Sequence, residues 1–267
     1  MKKLNKSWAL LMLVVFAFSS CKKDPVIEDE KPEVINPVKS FVELKVEGTM
    51  NGEPLQLNTD FTNINGNRSV LELVNIYLSN MYLLNDGDST LLKDVELISY
   101  TNSKYGFKTE VPKGNYNAFH FGLGVPADMN GMNNPSFDIT QYPNEHPLSL
   151  YQGTYWTWNT GYRFMMFDGR IDTTSNGTGN FVRTFAYHPG LDSLYRDKTH
   201  LFPSDLIVNE GQTKVIKLKF EFNDLMMIGN TPINMVDEFS THSTSVDIHI
   251  AIAMMENFVN KVEISTY

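Results

Sequence analysis

Cysteine is almost missing from this chain: Cys21 is the only one in 267 residues. That excludes disulfide staples and, beyond residue 21, any thiolate metal ligand. Positive charge is short as well. Lys and Arg number 22 against 31 Asp and Glu, for a formal charge of −9. No basic patch with interleaved aromatics occurs, so nucleic acid is not an expected partner. Long apolar runs are also wanting, because the run from Trp8 to Phe18 falls well below the roughly 20 residues that span a bilayer. Catalytic signatures are absent too: no Gly-x-Ser-x-Gly elbow, no Walker loop, no Gly-x-Gly-x-x-Gly after a strand and no His-Glu-x-x-His helix. With no acid/base or nucleophile constellation visible, an enzyme is not the expected class.

The N-terminus is where the chain first becomes specific. Lys2, Lys3 and Lys6 precede the apolar run, which ends in Ser19-Ser20-Cys21. A large apolar residue, two small residues and a cysteine resemble a bacterial lipobox, whose cysteine is acylated after cleavage. Acylation also removes an unpaired thiol that would be a redox liability outside the cell. The reading predicts a signal peptide over 1–20 and an acylated Cys21. Residues 21–40, rich in charge and holding Pro25, Pro32 and Pro37, follow as a disordered tether. The expected location is the cell envelope, lipid-anchored at the outer membrane, on its periplasmic or surface face. Loss of the three lysines takes the charge to −12, an ordinary value for an exported domain. Residues 41–267 form one domain of roughly 25 kDa, large enough to bury a core unaided.

Within that domain the signals are mostly β. Val42, Leu44 and Val46 alternate with Glu43, Lys45 and Glu47, and Asn51-Gly52 follows as a hairpin turn. Ile76, Leu78 and Tyr82 lead to Asn85-Asp86-Gly87-Asp88. That segment lacks the remaining ligands of a calcium loop and reads as a second turn. Ile216, Leu218, Phe220 and Phe222 share one face opposite Lys217, Lys219 and Glu221, which predicts a strand with one wet face and antiparallel pairing. Short strands with turns between them favour a sandwich or open barrel. Near the C-terminus Val246, Ile248, Ile250 and Ile252 alternate like a strand, yet Ser243 or Ser245 is placed to cap a helix through Met254, Met255 and Phe258.

The aromatic segment from Tyr155 to Phe167 draws the most attention. In one extended strand it would put Trp156, Trp158, Tyr162, Phe164 and Met166 on one face, with Asn159-Thr160-Gly161 as an interruption. Alone, such a stripe reads as core. Among the histidines, His188 lies where a strand meets a turn, His146 precedes a proline in a loop, and His120 reads as a satisfied core residue. His242 and His249 sit on the ambiguous C-terminal segment. No pair has local metal spacing, so any site must assemble from distant strands. The adjacent pairs Met165-Met166, Met226-Met227 and Met254-Met255 read as core filler rather than Cu(I) ligands.

Taken together, the motifs resemble the MbnP-like family, named for periplasmic proteins associated with methanobactin and related to copper-repressed surface proteins of methane oxidisers. They run through Tyr77-Leu78-Ser79-Asn80, Val111-Pro112-Lys113-Gly114-Asn115-Tyr116 and Phe121-Gly122-Leu123-Gly124-Val125-Pro126-Ala127-Asp128-Met129-Asn130. Tyr142-Pro143, His146-Pro147-Leu148-Ser149, the Tyr155-Trp156-x-Trp158-x-x-Gly161-Tyr162 block, Phe167-Asp168-Gly169 and Tyr187-His188-Pro189-Gly190 follow in order. The resemblance implies a mainly β, antiparallel β-sandwich-like single domain with a C-terminal helix. It also implies a mononuclear copper site in which imidazoles bind beside a tryptophan oxidised to kynurenine. By position, His188 and His146 would supply the imidazoles and Trp156 or Trp158 the modified ring. The implied function is that of a membrane-anchored lipoprotein binding copper for acquisition, storage or delivery, held to the bilayer through Cys21 and passing the metal to a copper-handling partner. The alternative is a non-metal binding module of the envelope that docks a protein or glycan through exposed aromatics.

Overall fold

Strand β1 (Ser40–Met50) buries Val42, Leu44 and Val46 and turns Glu43, Lys45 and Glu47 towards solvent, as the alternation predicts. The computed structural model describes residues 38–132, 136–156, 161–174 and 176–267. The expected signal peptide, Cys21, the tether up to residue 37 and Trp158 therefore lie outside the described residues. The compact unit begins at Val38.

The chain continues through β2 (Arg68–Asn85), β3 (Asp88–Ser99), β4 (Gly106–Val111), β5 (Gly114–Leu123), β6 (Tyr155–Trp156), β7 (Gly161–Tyr162) and β8 (Met165–Asp172). Then come β9 (Phe181–Tyr187), β10 (Arg196–Val208), β11 (Thr213–Glu221), β12 (Ser240–Thr241), helix α1 (Ile248–Lys261) and β13 (Glu263–Thr266). The larger sheet runs β10-β5-β2-β8-β9-β12, with β3 on the other edge of β2. The smaller sheet runs β13-β11-β1-β4. Both expected turns form. Asn51 and Gly52 have φ of 53° and 81°, Asp86 and Gly87 have φ of 41° and 108°, and each pair closes a two-residue hairpin. Positive φ at both central residues is what a type I′ turn demands.

Two details depart from the sequence reading. Strand β11 buries Ile216, Leu218 and Phe220 as expected, but its longer pairing, with β1, is parallel; only the short β13 pairs with it antiparallel. The wet face survives because this small sheet is covered on one side only. In β2 the buried residues switch parity, from Ile76 and Leu78 to Met81 and Leu83, leaving Tyr82 half-buried. The cause is a bulge around Asn80, whose φ is 46°: the pairing with β5 slips between Ser79 and Tyr82, and that with β3 slips just after it, between Met81 and Tyr82.

The core lies between the sheets. Phe167 of β8 meets Phe220 of β11 edge-on at 6.2 Å, and Phe220 meets Phe258 of α1 at 5.5 Å. The C-terminal segment is a helix because its buried residues come as adjacent pairs four apart, Ile250-Ala251, Met254-Met255 and Phe258-Val259, whereas adjacent residues of a strand face opposite ways. Met165, Met166, Met226, Met254 and Met255 are buried among these side chains as filler. No helix among the described residues is long and apolar enough to cross a membrane.

Candidate metal centre

Tyr77, in the middle of β2, is where two neighbouring strands hand over. Its N–H donates to Phe164 O at 2.9 Å and its carbonyl accepts from Gly124 N at 2.9 Å. Its hydroxyl donates to Pro147 O at 2.6 Å and lies 2.7 Å from Thr154 Oγ1, and burial pushes the phenol well above its usual range. This fixes the loops on either side of the aromatic block. The block itself is not one strand: β6 and β7 are the arms of a hairpin, with Tyr155 paired to Tyr162 and Trp156 to Gly161. Cross-strand partners share a face. Tyr155 and Tyr162 therefore face inward in edge contact at 4.8 Å, while Trp156 stands on the opposite face over a glycine. The expected stripe is split accordingly: Tyr162 and Phe164 are fully buried core, and Trp156 is half-buried and apart from them. Gly161, with φ of 71°, lets the hairpin close against Asn130, whose Oδ1 accepts from Tyr162 N at 2.7 Å.

Two histidines reach Trp156 from the far end of the larger sheet. Strands β9 and β12 pair in parallel, Ala186 with Ser240 and Tyr187 with Thr241, and His188 N donates to Thr241 O at 2.8 Å. The next residue of each strand is a histidine, so the register delivers His188 and His242 side by side. Their ring centroids are 5.4 Å apart, and they lie 5.5 and 5.0 Å respectively from the Trp156 ring. Arg163 covers the indole with its guanidinium at 4.7 Å and is anchored by donating from Nε to Thr154 O at 3.2 Å. The His242 turn is held by Asp247 at the start of α1. Its carboxylate accepts from His242 N at 3.1 Å and Thr244 N at 2.7 Å.

The electrostatics favour neutral imidazole at His242. Burial, then the neighbouring His188, holds it below its ordinary value, and Asp247 and Asp168 only partly oppose this. His188 is 5% exposed; its Nε2 lies 2.5 Å from Asp168 Oδ1, and its Nδ1 is buried with no hydrogen-bond partner among the described residues.

His146 stands elsewhere. It stacks on Tyr142 at 4.5 Å, and its Nδ1 accepts from Leu148 N at 3.1 Å, which closes the loop that Tyr77 grips. The structure thus brings His188 and Trp156 together but not His146. His242 was visible in the sequence only as a residue of an ambiguous segment; the parallel register that places it is not legible in one chain. His120 is hydrogen-bonded to Thr199 Oγ1 at 2.9 Å, but it is half-buried on the face of β5 away from Phe119 and Phe121 rather than in the core, and His249 pairs on the surface with Glu238 at 3.2 Å.

Imidazole nitrogens bind a metal at about 2.0–2.1 Å, which sets the centroids of two rings sharing an ion roughly 4.5–6 Å apart. The His188–His242 separation of 5.4 Å falls inside that range. Imidazole suits copper and zinc. Among the described residues no three His, Cys, Asp or Glu side chains group closely enough to hold a metal by themselves. The other ring beside both imidazoles is that of Trp156.

No curated protein matches the chain. Among solved structures, MbnP from Methylosinus trichosporium is similar, at 13% identity and a TM-score of 0.44 over 73% of this chain and 80% of that one. A family model described as MbnP matches residues 39–255, the span from the start of β1 into α1. The chain belongs to the MbnP family.

Proposed function

We propose that this protein is a lipid-anchored envelope protein whose MbnP-family domain binds one copper ion, for acquisition, storage or delivery. The observation that carries the reading is the convergence of His188, His242 and Trp156, three residues from distant parts of the sequence whose rings lie within 5.0 to 5.5 Å of one another. His188 and His242 would hold the ion. Cleavage of the Trp156 indole C2–C3 bond by dioxygen to N-formylkynurenine, and hydrolysis of its formamide with release of formate, would leave kynurenine, an aromatic amine and a carbonyl where indole offers only an N–H donor. Arg163 packs its guanidinium over the ring. The glycan- or protein-docking alternative draws less support from Trp156, because its half-buried ring is in contact with two imidazoles and a guanidinium. Anchoring rests on Ser19-Ser20-Cys21 and the apolar run before it.

Native and denatured mass spectrometry of the protein from its own envelope tests this directly. Bound copper, a diacylglyceryl Cys21, and a tryptophan that has gained an oxygen and lost a carbon are the expected results. His188→Ala and His242→Ala should each abolish retention of copper through desalting, whereas His146→Ala should retain it. Wild-type protein that stays metal-free after copper is added refutes the metal reading, and an unacylated Cys21 refutes the anchor.

A further inference from the structure

We propose that Asp168 is a positioning residue for His188, holding the imidazole with its proton on Nε2 so that Nδ1 is the atom presented to the metal; this rests on the copper reading above. A carboxylate accepts hydrogen bonds and donates none. The 2.5 Å contact between His188 Nε2 and Asp168 Oδ1 therefore places the proton on Nε2. The other nitrogen is the buried, unpartnered Nδ1. Buried polar atoms nearly always find partners, and this unpartnered nitrogen belongs to a ring that lies 5.4 Å from a second imidazole and 5.5 Å from an indole, which makes it the ring atom left for a ligand. Ligating histidines commonly donate their second ring N–H to a carboxylate, which fixes tautomer and orientation together.

The fold has built this contact. Asp168 of β8 pairs with Ala186 of β9, and His188 lies two residues further on, a diagonal neighbour on the same face of the ladder. A bulge between Asp168 and Gly169, where β8 skips Glu72 of β2, re-aims the strand at this position. The His188 side chain is 7% exposed against 32% for Asp168, so the carboxylate stands at the rim and the ring lies beneath it.

The test begins on the metal-free, 15N-labelled protein at about pH 8, where ordinary imidazole is neutral. Long-range 1H–15N correlation should show His188 with a protonated Nε2 and a bare Nδ1. Asp168→Ala should give a mixture of tautomers, and Asp168→Asn, whose amide oxygen still accepts, should restore the single one and guard against misfolding. After loading with Cu(II), pulsed EPR should show a changed remote-nitrogen coupling in Asp168→Ala, and affinity should fall by about 10- to 100-fold. A protonated Nδ1 in wild type, or a tautomer indifferent to Asp168→Ala, overturns the positioning role. Wild-type protein that takes up no copper overturns the copper reading and, with it, Nδ1 as a ligand atom, while the metal-free tautomer reports separately on the Asp168 contact.

Discussion

At the scale of single residues, the site depends on side chains that hold the hairpin carrying Trp156 in place. Asn130 is fully buried: its Oδ1 accepts from Tyr162 N at 2.7 Å and its Nδ2 donates to Asp192 Oδ1 at 2.7 Å. It ties the hairpin of β6 and β7 to the loops around it. Asn130→Ala leaves a buried backbone N–H without its acceptor, at a cost of about 2–3 kcal/mol. Gly161→Ala attacks the same joint from the other side, since its Cβ would sit 2.5 Å from Asn130 Oδ1 at a φ of 71°. Both variants should melt at lower temperature and lose copper more readily. Calorimetry alongside copper titration checks this, and an unchanged Tm in both would show that the hairpin is held by other means.

At the scale of elements, α1 closes the core beneath the smaller sheet. Phe258, fully buried against Phe220, is its anchor, and Phe258→Ala should cost about 3–5 kcal/mol, read from the urea midpoint. A loss under 1 kcal/mol would mean that α1 adds little to the core. Elements such as β1, β11 and α1 were legible because their buried faces are set by local period: two for Val42, Leu44 and Val46, four for Ile250, Met254 and Phe258. Both hairpin turns were legible because Asn-Gly and Asp-Gly tolerate positive φ. The bulge at Asn80 was not, since it depends on pairing with two neighbouring strands at once. Nor was the folding of the aromatic block into two arms, because its alternation mimics one long strand. His188 and Trp156 were found through motif resemblance. His242 was passed over because parallel pairing of β9 with β12 joins residues more than fifty positions apart, and Asp168 because its role depends on which face of β8 it occupies.

At the scale of the whole molecule, the protein carries a net negative charge, and several groups prefer their unprotonated form when folded. His242, His146 and His200 are each held below the ordinary imidazole value, in every case chiefly by burial. Asp172 is lowered first by its hydrogen bond from Thr174 Oγ1, with Arg68 assisting, and Asp138 first by Thr140. In all five cases the unfolded chain takes up its proton at a higher pH than the folded one, so acidification favours unfolding. The imidazole contribution is whole above about pH 6.5 and is lost as pH falls from there towards the folded values; the carboxylate contribution is lost only below about pH 4. The urea midpoint of the metal-free protein should therefore fall in two stages as the solution is acidified. His200→Gln, on edge strand β10 far from His188 and His242, should shrink the first stage without altering the second. Asp172→Asn should lower the midpoint near neutrality, because Arg68 loses a charged partner, and should flatten the second stage. A midpoint constant from pH 7 to 5 would mean that these imidazoles titrate alike in the folded and unfolded chains.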